Sequence, residues 1–274
     1  MLVGVELGLL ALASAVYGGL AFRRRPSPLQ ARSAALACFA AGVATIAVAV
    51  IALGGPEHQL LYPEVIQNLL IGDVGALLIA LGCQLLPSPR RGPSSTRRFA
   101  TRLLLDPRLA LLVWGALTVV WYLPGPHDAA LHSWPLQLFE HVLLLFSGVI
   151  AWGALIHILR APSPLRIGAA GVYLLVWRGA QSALAITAIW SKNVYYHPYI
   201  HSEVARAISP LADQGTAGSI MLGEGALAAV CVIAWFYWRL GSARYVRRAG
   251  AAHLDSTTSR GLALDSGRIG RPSR

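Results

Sequence analysis

Apolar residues fall in seven long runs, near residues 2–22, 33–53, 66–86, 107–123, 136–159, 168–190 and 216–238, with Pro, Gly, Ser and charged residues between them. Each run is close to the roughly 20 residues a helix needs to cross a hydrocarbon core of about 30 Å. The fourth run is the shortest. Asp106 followed by Pro107 marks its start, since an aspartate caps free amides and a first-position proline has none to satisfy. The pattern predicts an all-α integral membrane protein: seven transmembrane helices in residues 1–240 and no soluble domain. Residues 241–274 are rich in Gly, Ser, Thr and Arg without apolar periodicity, and are expected to form a basic, disordered tail.

Composition supports this reading of the solvent. Of 274 residues, 55% are hydrophobic and 13% charged, with a mean hydropathy of +0.56, too apolar for one soluble core. Charge then adds orientation. All but three of the 23 Lys and Arg lie in the segments after runs one, three, five and seven; the exceptions are Lys192, Arg206 and Arg178. The positive-inside rule puts the N-terminus outside and the C-terminus in the cytoplasm. The net charge of +11 is therefore a topology signal and an attraction to anionic headgroups rather than a nucleic-acid surface. No cation precedes the first run and Arg23, Arg24 and Arg25 follow it, so it is expected to be an uncleaved span in a bacterial cytoplasmic membrane.

Within that topology, His58, His127, His132, His141, His197 and His201 fall at or near the outer face, and only His157 and His253 at the inner one. Imidazoles converging there would suit copper, zinc or iron, and histidine tolerated at a wet interface is the plain alternative. Cys38, Cys83 and Cys231 have no thiolate-pair spacing, which leaves Met221 as the candidate sulfur ligand. Asp73, Glu140, Arg178 and Glu224 lie inside apolar runs, where an ionisable group must face the bundle and find partners. Arg178 can pair with Asp73 or Glu224 and fix packing, or the three can form an ion path. Asp213, Ala217, Met221 and Glu224 step by helical turns along one face, and Asp213 and Gln214 sit at its outer mouth. No span carries the lysine of a retinal Schiff base, and His141 and His157 share one span, which does not suit a bis-histidine haem.

The stretch LADQGTAGSIM, with Asp213, Gln214, Ala217, Gly218 and Met221, resembles the last span of the polytopic CtaG family of bacterial cytochrome c oxidase assembly factors. Glu140 and His141 match that family's His-x-x-Glu-His pattern, with Gln137 in place of its first histidine. In the third span, Gln67 fits a His-x-x-Gln-His pattern whose histidines are here Glu64 and Asn68. The resemblance implies a seven-span assembly factor for a haem-copper oxidase, without catalytic turnover. Its partners would be the oxidase catalytic subunit or a copper chaperone. It further implies that His132 and His141, with His197 or His201 and Met221, receive copper on the outer side, while Glu140, Asp213 and Glu224 orient ligands and hold displaced protons. The competing expectation is an ion or proton transporter, or a structural subunit of a respiratory complex, working through Asp73, Arg178 and Glu224.

Overall fold

Helices account for all the regular structure that the computed structural model describes, which covers residues 1–23, 29–55, 59–86, 105–160, 163–201, 207–235 and 237–238. The first two are α1 (Leu2–Arg23) and α2 (Leu29–Leu53). The third span, Leu61–Leu85, is continuous but mixed: α3 (Leu61–Leu69), a π-helical segment (Leu70–Gly75) and α4 (Ala76–Leu85). Next come α5 (Pro107–Tyr122), α6 (Pro124–Leu131), α7 (Trp134–Leu159) and α8 (Pro164–Trp190). A short 3-10 turn (His197–His201) precedes α9 (Pro210–Trp235). The expected tail, 241–274, lies outside the described residues.

Six of the spans are long and apolar enough to cross a bilayer, and α5 with α6 makes a seventh if that bent pair is one span. Local chemistry explains why the fourth run looked short. Asp106 Oδ1 accepts from the amides of Arg108 and Leu109 at 2.9 and 3.1 Å and starts α5. Pro124 then forces Leu123 into an extended conformation, φ −75° and ψ 137°, because a residue before proline avoids the α region. The axis bends by 69° there, and α6 folds back so that His127 is buried.

The chain divides into two units, Met1–Gly225 and Ala226–Arg274. In the first, the usual soluble arrangement is inverted. Leu12, Leu112 and Leu175 are exposed, whereas Glu64, Asp73, Glu140, Arg178, Asp213 and Gln214 are buried, as expected when lipid surrounds the bundle. Small residues allow the helices to meet. A side chain at Gly148 of α7 would collide with the carbonyl oxygen of Gly72 in the π segment. At one end Tyr17 stacks on Phe39 at 3.8 Å and donates to the Gly82 carbonyl at 2.7 Å, joining α1, α2 and α4. In the second unit the helical conformation continues to Trp235, and Tyr237 and Trp238 are exposed.

Candidate functional site

At the opposite end of the first unit, four elements bring polar side chains to one point. Glu64 and Asn68, one turn apart on α3, face Glu140 on α7 and His127 on α6. Ligand atoms of Glu64, His127 and Glu140 all lie within 4.8 Å of one another, the only such group of three among the described residues. These side chains are essentially removed from solvent, at 3%, 4% and 2% exposure. The Tyr199 hydroxyl donates to Glu64 Oε2, and His127 Nε2 lies 3.3 Å from that same oxygen. Asn68 Nδ2 donates to Glu140 Oε1 at 3.3 Å.

Beside this cluster is a cavity of about 200 Å³ whose wall includes Glu64, Asn68, Trp121, His127 and Met221. Asn68 Oδ1 and Trp121 Nε1 are buried there without a hydrogen-bond partner. Two carboxylates around one imidazole, with an amide oxygen and open space beside them, gather oxygen and nitrogen donors at one point. Burying such a set is costly unless something positive completes it.

The residues that shape this end come from far along the chain. Asp213 accepts from the amides of Leu61 and Tyr62 at 2.7 and 3.1 Å, so a carboxylate on α9 caps α3 in place of a local N-cap. That cap is why the third span begins at Leu61, one turn before Glu64. Gln214 accepts from the Tyr195 amide at 2.9 Å and donates to the carbonyls of Ala188 and Asn193, pinning the segment that delivers Tyr196 and Tyr199. Tyr196 packs on the His127 ring, with centroids 4.4 Å apart. Burial, then the Glu64 carboxylate, push the Tyr199 phenol well above its ordinary pKa, so it remains a donor to Glu64.

The sequence profile described as "Cytochrome c oxidase caa3 assembly factor (Caa3_CtaG)" matches residues 15–242, the greater part of the chain and all of this cluster. The chain belongs to the caa3 assembly factor family. No curated protein and no solved structure matches it.

Seen within the assembly factor family, the residues singled out from sequence separate into several places. Met221 and Glu140 join the cavity and its cluster. His141 turns away from it: its Nδ1 lies 2.5 Å from Glu6 Oε1 on α1. His132 is exposed at the end of α6 and donates from Nδ1 to the Asp128 carbonyl at 2.6 Å. His197 is exposed at the start of the 3-10 turn, and the His201 side chain lies outside what is described. The imidazoles of His132, His141 and His197 therefore do not gather with the three-residue cluster. Sequence reasoning overlooked His127, Glu64 and Asn68 as a group. The signal was present in the family pattern, since Glu64 and Asn68 occupy its two histidine positions in the third span and Glu140 its acid in the fifth.

A second polar cluster lies deeper. The π segment carries Asp73, whose carboxylate receives Arg178 Nη2 at 2.9 Å and Trp152 Nε1 at 3.2 Å. Arg178 also donates to Gln181 at 2.7 Å and to Glu224 at 3.3 Å, and its guanidinium lies over the Trp177 ring at 4.5 Å. Both pairings considered from sequence occur together. Between the two clusters is a cavity of only about 30 Å³, walled in part by Asn68, Asp73, Gln181 and Met221. That is room for about one or two waters.

Proposed function

We propose that this assembly factor holds a copper ion in transit to the oxidase, bound by Glu64, His127 and Glu140, with Asn68 Oδ1 and the Met221 thioether in reach of the same cavity. The observation that carries this reading is the 4.8 Å grouping of two carboxylates and one imidazole beside an open cavity. Oxygen and nitrogen donors in this ratio suit cupric ion in a tetragonal geometry better than cuprous ion, which prefers thiolate and thioether. The ion is cargo, so a site with one soft donor and no thiolate is consistent with release. Both carboxylates must be ionised and the imidazole neutral at its ligating nitrogen, so binding expels protons and weakens as pH falls.

The distribution of arginines supports an extracytoplasmic position for this end of the bundle in a bacterial cytoplasmic membrane. In this reading the ion is delivered from that face to the oxidase catalytic subunit, directly or through a copper chaperone, and the family's description as a caa3 assembly factor supports a role beside the oxidase. Titration of the purified full chain with Cu(II) tests the site. We expect one ion per chain, with affinity reduced at least about tenfold in each of Glu64→Gln, His127→Ala and Glu140→Gln and unchanged in His132→Ala. Equal retention of copper by all three cluster variants would remove the proposal. In cells lacking the chain, the reading predicts reduced caa3 oxidase activity that recovers with added copper.

A further inference from the structure

Glu64, His127 and Glu140 are closed off from solvent, so a cargo ion needs a way in, and the cavity of about 200 Å³ beside them is the space for it. Most of its wall is buried. Only two wall residues are exposed, Thr187 in the last turn of α8 and Tyr195 in the segment that follows. They place the opening where Ser191, Lys192 and Asn193 end the apolar run, at the water boundary of the bilayer rather than within its hydrocarbon.

Residues 191–196 run past this opening, and Tyr195 and Tyr196 form part of the cavity wall. Asn193, Val194 and Tyr195 make no backbone–backbone hydrogen bond among the described residues. One side chain takes that role. Gln214 of α9, 1% exposed, accepts from the Tyr195 amide and donates to the carbonyls of Asn193 and Ala188. Ala188 belongs to α8, so Gln214 fastens the segment to the helix it leaves. Further along, the Tyr196 hydroxyl donates to the Tyr122 carbonyl at 3.0 Å, which carries the segment across to the end of α5. A stretch held from so few points opens at a lower cost than the helices it joins, and binding loops are drawn from such stretches.

We propose that residues 191–196 are a movable strap over the cavity, with Gln214 as its latch, and that cargo enters and leaves beside Thr187 when the latch releases. The identity of the cargo rests on the copper reading. The opening itself is a property of the chain and is measurable without metal.

The test uses the full chain in phosphatidylcholine nanodiscs, with Cys38, Cys83 and Cys231 replaced by alanine and Ala217→Cys as a reporter on the buried cavity wall. The probe is 2-aminoethyl methanethiosulfonate, a small cationic thiol reagent, in metal-free buffer. Gln214→Leu is expected to speed labelling of that cysteine at least about tenfold, on the scale of losing about two hydrogen bonds. Thr187→Trp leaves Gln214 untouched and crowds the rim, and is expected to slow labelling at least about tenfold. Ala35→Cys, buried at the opposite end of the bundle, should react equally with and without Gln214→Leu. Release of Cu(II) to EDTA from chains with the native Ala217 should follow the same order, faster in Gln214→Leu and slower in Thr187→Trp. Labelling unchanged by either substitution, or speeded equally at Ala217→Cys and Ala35→Cys, would overturn the strap whether or not copper binds. Labelling that shifts as stated in a chain that takes up no Cu(II) would uphold the strap and sink the copper reading alone.

Discussion

The two polar clusters of the first unit are built from the same kinds of residue and solve opposite problems. Around Asp73, the chain supplies its own cation. Arg178 reaches two carboxylates, a glutamine and two indole rings, and little space remains. Around Glu64, the chain gathers two carboxylates and an imidazole and leaves a cavity of about 200 Å³. The first cluster is closed around a guanidinium and holds helices in register, whereas the second gathers ligand-type atoms with room beside them, which is the basis of the copper proposal. The comparison also disfavours an ion path through Asp73, since its carboxylate is engaged by Arg178 and Trp152.

The largest effect expected from breaking this contrast is removal of Arg178. Arg178→Leu strands Asp73 and Glu224 in a dry bundle and should cost about 3–5 kcal/mol, read as a fall in the midpoint of denaturant unfolding in detergent. Replacing Asp73, Arg178 and Glu224 together by leucine should recover most of that loss, and Cu(II) affinity of the triple variant should change little. A smaller but still clear loss, about 1–3 kcal/mol, is expected for Gly148→Leu, because the new side chain pushes α7 from the π segment that carries Asp73.

Around the Glu64 cluster the effects are gentler in stability and sharper in binding. Asp213→Ala removes the cap from α3 and should cost about 1–2 kcal/mol, with Cu(II) affinity falling about tenfold as Glu64 loosens. Asp213→Asn, which keeps one acceptor oxygen, should restore part of both. The smallest change is expected from Tyr199→Phe, about 1 kcal/mol at neutral pH for one hydrogen bond. Its sign with pH is informative. The Tyr199 phenol is raised in the folded chain by burial and by Glu64, so the stability it contributes is complete below the ordinary tyrosine value of about 10 and declines as pH rises beyond it. Unfolding midpoints measured from pH 8 upward should fall less steeply in Tyr199→Phe than in the parent chain.

Much of the fold was legible because lipid imposes a simple rule: long apolar runs become helices and ionisable residues inside them turn inward. Asp106 and Pro107 marked the start of α5, and Arg178 had the partners its position demanded. The break at Leu123 was readable only in part. Pro124 signals a stop, yet the direction in which α6 folds back depends on packing that brings His127 against Tyr196. The Asp-Gln pair announced itself as a motif without revealing its work, since capping α3 from 152 positions away is a tertiary event. The copper ligands expected from sequence were chosen by residue type, so histidines drew attention. Glu64 and Asn68 carry no such flag by residue type, and it takes their places in the family pattern together with their nearness to His127 and Glu140 to mark them as a candidate site. His141 was drawn the other way, to a carboxylate on α1 that local pattern does not connect to it.

The most direct test of the central claim is electron spin-echo envelope modulation of one equivalent of Cu(II) bound to the purified chain. We predict modulation from a single imidazole, lost in His127→Ala and retained when His132 and His197 are both replaced by alanine. Modulation from two or more imidazoles, or a spectrum unchanged by His127→Ala, would contradict the assignment of the Glu64, His127 and Glu140 cluster as the place where copper is held.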